Sequence, residues 1–173
     1  KAAILELTRG RAEADLYKAL AAKVADWQIP DQAKLRFALG VYDTTQWGGN
    51  GYAKRFTDLV SKVYDRDKRD LGFEATAALI PNLARVMAYK DEIYVAQLAT
   101  SEEKRRRDNW RYNIDPARGD RIRYKHIMRP HFEVVGMDIK FDISPPVWLL
   151  KVMRRLGFLR KMLPAWHTEE KAY

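Results

Sequence analysis

Cysteine is absent from the 173 residues. Its absence excludes a disulfide framework, a thiolate zinc site, an iron–sulfur cluster and a cysteine nucleophile within them. It also fits a reducing compartment, and a cytoplasmic location is expected. Histidine is scarce: His126, His131 and His167 are the three present. No pair has the i, i+4 spacing of a helical metal site, so no metal ligands are expected. No apolar run reaches the ~18 residues a membrane-spanning helix needs. The first residues, Lys1-Ala-Ala-Ile-Leu-Glu-Leu7, place an acid inside the apolar stretch and do not read as a signal peptide.

The familiar site motifs are missing as well. Gly48-Gly49-Asn50-Gly51 precedes a helical pattern, and its amides could face a phosphate. It lacks the Lys-Ser/Thr ending of a P-loop and the spacing of a dinucleotide fingerprint, and reads as a turn. Asp65 to Asp70 has the acids of a calcium loop, but Arg69 stands where the fifth loop position needs an oxygen. Ser144 has no elbow glycines around it. Lys90, Asp91 and Glu92 form a charged knot that reads as a helix surface facing water or a neighbouring domain. No catalytic, cofactor-binding or metal-binding residue is expected.

What the chain does have is 47% hydrophobic residues and a net charge of +9. The first value indicates a folded chain. The charge is segregated. Residues 1–103 carry 15 basic and 15 acidic side chains, whereas residues 104–130 carry ten and three. Residues 151–161 add Lys151, Arg154, Arg155, Arg160 and Lys161 without an acid. A partner is therefore to be sought on the second half.

Periodicity predicts mostly helix. Leu16, Leu20, Val24 and Trp27 share one face of a helix over about 1–27. A second helix starts at Asp31, and a third, over 52–64, carries Tyr52, Phe56, Leu59, Val60 and Val63. The pattern from Phe73 to about Thr100 reads as a fourth. Pro81 either lies in its first turn or kinks it. Phe56, Leu59, Leu83, Val86 and Met87 are expected in one core. Residues 102–113 read as a charged helix. Residues 121–128 and 132–143 read as extended, with apolar alternation at Ile139, Phe141 and Ile143. An amphipathic helix follows Pro145-Pro146 and stops at Pro164. Thr168-Glu169-Glu170 looks like one more helix start. The expected fold is one α+β domain, mainly helical with a small late antiparallel β element. Its parts are a helical 1–100, a basic insert 101–136, and a strand plus C-terminal helix over 137–173. Both ends read as those of a fragment.

The basic insert carries the candidate site. Arg105, Arg106, Arg107, Trp110, Arg111, Arg121 and Arg123, beside Lys104, Tyr112, Tyr124 and Lys125, interleave cations with aromatics. Single-stranded nucleic acid uses that mixture, charge for phosphates and π-faces for bases. Protein contacts use it too, because arginine and aromatics dominate buried anchors. Asp108, Asp115 and Asp120 recur among the cations, which favours a folded, protein-facing segment over a nucleic-acid tract. The helix after Pro146, apolar on one side and basic on the other, could also lie on an anionic membrane, though such a helix more often packs into its own core.

Four stretches resemble a known family. Leu83-Ala-Arg-Val-Met-Ala-Tyr-Lys-Asp-Glu-Ile-Tyr-Val-Ala-Gln-Leu98 is similar to a helical segment of the large indolepyruvate (arylpyruvate):ferredoxin oxidoreductases, which carry Tyr-Lys-Asp-Glu-Tyr-Glu-Val-Ala-Arg-Leu there. Gly51-Tyr-Ala-Lys-Arg-Phe-Thr-Asp-Leu-Val60 resembles their Tyr-Ala-x-Arg-Tyr-x-x-Leu-Val helix. Phe141-Asp-Ile-Ser-Pro-Pro146 resembles their Phe-His-Leu-Ala-Pro-Pro, and His167-Thr-Glu-Glu170 a step near their C-terminal helix. Ile93-Tyr94 and the longer basic segment depart from that pattern. The resemblance implies a parent enzyme that oxidatively decarboxylates 2-oxoacids to acyl-CoA. Such an enzyme uses thiamine diphosphate, Mg, 4Fe-4S clusters and coenzyme A, and passes electrons to ferredoxin. Those cofactor motifs lie elsewhere in such proteins. The implied role here is structural and docking, within a homo-oligomeric enzyme whose remaining domains or subunits are the partners. A stand-alone nucleic-acid-binding module is the alternative.

Overall fold

The computed structural model describes residues 1–127, 131–134, 137–140 and 144–162. The expected arrest of the last helix at Pro164 and the expected helix start at Thr168 lie outside them. The described residues form two compact units, Lys1–Tyr89 and Lys90–Pro164, where the composition reads one domain changing character at 101.

The first unit holds helices α1 (Ala2–Arg9), α2 (Arg11–Ala22), α3 (Asp31–Gly48), α4 (Asn50–Tyr64) and α5 (Glu74–Met87). The single helix expected over 1–27 is broken at Gly10, whose φ of 107° belongs to glycine and ends α1. Around α3 pack α2, α4 and α5. Phe37, Val41, Phe56, Val60 and Ile80 are inaccessible to solvent and form one core with Leu20, Val24 and Met87. Helices α3 and α4 come close because residue 40 is glycine. A Cβ there would meet Phe56 Cζ at 2.6 Å and Ala84 Cβ at 3.1 Å. An aromatic ladder closes one side of the unit. Trp27 stacks on Tyr64 at 4.1 Å, and Tyr64 stacks on Phe73 at 4.5 Å. Aromatic pairs of this kind contribute about 0.5–1.5 kcal/mol beyond the area they bury.

Leu59 and Leu83 pack against that core as expected, but Val86 does not. It is 40% exposed. The buried stripe of α5 runs Thr76, Ile80, Met87. At 100° per residue, position 86 lies about 120° from position 80, off the stripe. Pro81 sits inside α5, seven residues after its start. The fourth helix does not continue to Thr100 either: α5 ends at Met87, and α6 begins anew at Glu92.

Asp67 explains how α5 starts. The residue before the helix, Phe73, is left-handed at φ 57° and offers no capping side chain. Asp67 reaches in from the preceding loop and accepts hydrogen bonds from Thr76 N and Thr76 Oγ1, each at 2.7 Å, so it does the capping from outside the helix. The Thr76 hydroxyl bond, above all, holds the Asp67 carboxyl below its ordinary range. A carboxylate depressed in the folded state stabilises above its unfolded pKa, and that contribution disappears as the pH falls through the folded value. Asp67→Asn is therefore expected to lower the melting temperature at pH 7. It should also flatten the loss of stability between about pH 5 and about pH 2. Thermal melts of both proteins across that range check this.

The second unit holds α6 (Glu92–Ala99), α7 (Glu102–Arg111), α8 (Val147–Met153) and α9 (Leu159–Met162). Two four-residue segments, β1 (His131–Val134) and β2 (Met137–Lys140), pair antiparallel with each other, His131 opposite Lys140. The α+β class is nonetheless corrected: the fold is all-helical. An α+β fold needs a sheet whose face is covered by helices. Among the described residues no sheet of that kind exists, because β1 and β2 pair only with one another. The residues 121–127, expected to be extended, enter no ladder. The single amphipathic helix expected after Pro146 is broken. A 3-10 turn, Leu156–Phe158, separates α8 from α9.

The charged knot at 90–92 is corrected too. Asp91 has no exposed surface. Its Oδ1 caps α6 by accepting from Tyr94 N at 2.6 Å. It also accepts from the Arg160 guanidinium, from Nε at 2.5 Å and from Nη2 at 2.8 Å. The Arg160 side chain is itself 9% exposed. The pair thus ties the start of α6 to α9, 69 residues on, while α6 packs on α8.

Candidate interaction surface

The basic segment is organised around one carboxylate. Ser101 caps α7, its hydroxyl accepting from Lys104 N at 3.2 Å, and Glu102 and Glu103 occupy the first turn where the helix dipole favours acids. One turn further along, Asp108 is 7% exposed. It pairs with Lys104, accepts from the Tyr124 hydroxyl at 3.1 Å, and lies 3.5 Å from Arg107 Nε. Lys104 Nζ also stands 3.8 Å over the Tyr124 ring, and His126 stacks against Tyr124 at 5.9 Å. Ser144 Oγ donates to the His126 carbonyl at 2.9 Å. The contacts with Asp108 and Lys104 fasten Tyr124 to α7, and His126 is held in turn by Tyr124 and Ser144.

The charges respond to this arrangement. The Lys104 hydrogen bond holds the Asp108 carboxyl below its usual range. Burial, and then the bond to Asp108, pushes the Tyr124 phenol up. Burial, with Lys104 nearby, holds the His126 imidazole down. Asp108→Asn is expected to bring the Tyr124 ionisation back towards the ordinary phenol range, whereas Trp110→Ala leaves it unchanged. Phenolate absorbance or tyrosine NMR against pH reads the difference.

Beyond Gly119 the chain runs through 121–127 without helix, turn, bend or ladder. Its exposure alternates. Arg121, Arg123, Lys125 and Ile127 are exposed, while Ile122, Tyr124 and His126 are half-buried. That period of two is the signature of extended chain. The turn before it is braced by Arg118, which donates to the Asn113 carbonyl at 2.8 Å and pairs with Asp120 at 3.0 Å.

The seven residues expected to make contacts divide into two groups. Arg105 and Arg106 lie 3.5 and 3.9 Å from Glu102, and Arg107 pairs with Asp108, so these three partly neutralise their own helix. Arg111, Arg121 and Arg123 are exposed and form no ion pair among the described residues. Trp110 is 85% exposed. Sequence reasoning missed Asp108 as the organiser. Its i, i+4 spacing from Lys104 is visible in the sequence, but Tyr124 lies 16 residues away. Asp91–Arg160 was missed for the same reason.

The chain matches, over residues 35–172, the model of a family described as a family of unknown function (DUF6537). It belongs to that family. The family match takes in α4 to α9 and the whole basic segment. No curated protein and no solved structure matches the chain. Among the described residues no helix is long and apolar enough to cross a membrane.

Proposed function

We propose that this chain is a structural and docking module of a thiamine-diphosphate-dependent 2-oxoacid:ferredoxin oxidoreductase. The parent enzyme would oxidatively decarboxylate indolepyruvate or related arylpyruvates to acyl-CoA in the cytoplasm. The module itself carries no catalytic step. Its partners are the remaining domains or subunits of that enzyme, in a homo-oligomeric assembly that delivers electrons to ferredoxin. Thiamine diphosphate, Mg, 4Fe-4S clusters and coenzyme A are held by other parts of the parent.

The observation that carries the docking role is the segment ordered by Asp108: Arg111, Arg121 and Arg123 are exposed and form no ion pair among the described residues, and Trp110, next to Arg111 in the chain, is 85% exposed. Arginine forks of this kind satisfy carboxylates on a neighbouring protein surface. The link to the oxidoreductases rests on the four resembling stretches. The Tyr89-Lys90-Asp91-Glu92 stretch has a physical role consistent with a scaffold, since Asp91 is a buried clamp.

The test is to identify, by mass spectrometry of native extract, the polypeptide that yields peptides of this chain. The reading expects a polypeptide far longer than 173 residues, with clustered cysteines and 2-oxoacid oxidation dependent on coenzyme A. Charge reversal of Arg111, Arg121 and Arg123 in it should weaken assembly. A native polypeptide of this length alone, without that activity in its complexes, overturns the reading.

A further inference from the structure

We infer that residues 121–127 receive an acidic, extended segment of a partner protein by strand addition. The inference rests on the docking role proposed above and specifies its mode. Three features coincide on this segment. First, its main chain is almost unpaired among the described residues. Among the described residues, the one hydrogen bond to its backbone is the Ser144 hydroxyl on the His126 carbonyl. A row of open N–H and C=O groups on extended chain is a template for another strand. Second, Arg121, Arg123 and Lys125 share the exposed side at every second residue, ~6.6 Å apart at the rise of a strand. A strand with Glu or Asp at alternate positions matches that spacing, because directly opposite side chains on paired strands are neighbours. Third, the segment is held in place beforehand. Tyr124 is bonded to Asp108 and lies under Lys104, so little ordering is left for binding to impose.

The same charges exclude a second copy of this segment as the occupant, since like charges would face one another across the ladder. A phosphate backbone would take the cations but not the open carbonyls, so nucleic acid leaves the main chain unused and is an outcome that the experiment distinguishes.

The experiment uses the full chain and a capped heptapeptide of alternating Glu and Val. A second peptide has the same sequence with the amides of one edge N-methylated, which leaves its charge unchanged. Binding is followed by anisotropy, and amide exchange by NMR. The Glu/Val peptide should bind and slow exchange at alternate amides within 121–127. N-methylation should weaken it about tenfold, the equivalent of two lost main-chain hydrogen bonds. Arg121→Glu with Arg123→Glu should weaken it at least as much, with the circular dichroism melt unchanged because both side chains are exposed. Equal binding of both peptides without exchange protection would overturn strand addition while leaving the docking role standing. If the chain ignores both peptides but holds oligo(dT) beyond about 200 mM salt, and Trp110→Ala abolishes that, base stacking is at work and both readings fall. No binding of any probe overturns the inference.

Discussion

Asp91→Ala is expected to destabilise the second unit by about 3–5 kcal/mol, the usual cost of removing one partner from a buried ion pair. The substitution strips α6 of its cap and takes from the Arg160 guanidinium, 9% exposed, the carboxylate that accepts two of its hydrogen bonds. Most of the cost is the lost ion pair at a nearly buried cation, and this has a consequence that can be measured. The double variant Asp91→Ala with Arg160→Met should be clearly more stable than Asp91→Ala alone, because it replaces a nearly buried cation deprived of the Asp91 carboxylate with a side chain that tolerates burial. Chemical denaturation of the four proteins of this cycle gives the coupling energy. If Asp91→Ala costs under about 1 kcal/mol, the pair is no clamp.

Phe56→Ala should act on the first unit with a comparable loss, about 3–5 kcal/mol. Phe56 has no solvent exposure and lies 5.6 Å from the Phe37 ring. It also fills the space left by the missing side chain at Gly40. Truncation opens a cavity between α3, α4 and α5 that these helices cannot close without moving their backbones. At roughly 2–4 °C per kcal/mol for a chain of this size, the melting temperature should fall by about 10 °C. The reverse experiment probes the same contact. Gly40→Ala pushes a Cβ to within 2.6 Å of Phe56 Cζ and should also destabilise, by about 1–3 kcal/mol. Gly40→Ala combined with Phe56→Leu should recover part of that loss, since the far end of the ring is what the new Cβ meets.

Both clusters show why some of this molecule is legible in its sequence and some is not. Leu16 and Leu20 on α2 and Tyr52, Phe56, Leu59 and Val60 on α4 follow from a period of 3.6 and pack as that period requires, whereas Val24 and Trp27 join the same core from the chain beyond Ala22, where the expected helix has already ended. The proposed contact arginines are equally visible as composition. Val86 was misplaced because a stripe read on spacing alone spans more of the helix than the core covers. The α+β expectation had a similar origin. Alternation over a few residues identifies chain that runs extended, but says nothing about whether it acquires enough partners to make a sheet. Proline and charge spacing did not reveal the break at Gly10 or the restart at Glu92.

Three properties are readable before the chain folds: the helical class of the first half, the absence of any cysteine chemistry, and the concentration of positive charge after residue 103. Each depends on residue types and near-neighbour spacing, which need no fold to be read. It takes the packing of the helices to bury Asp91 under Arg160, to set Asp67 as a cap from outside its helix, and to let Asp108 fasten Tyr124 to α7, which leaves a row of cations facing outward. These pairings join residues 69, 9 and 16 positions apart. A local pattern cannot encode them, because an acid in an exposed run and an acid in a buried clamp have the same side chain. What separates them is which distant groups the packed helices bring within hydrogen-bonding reach.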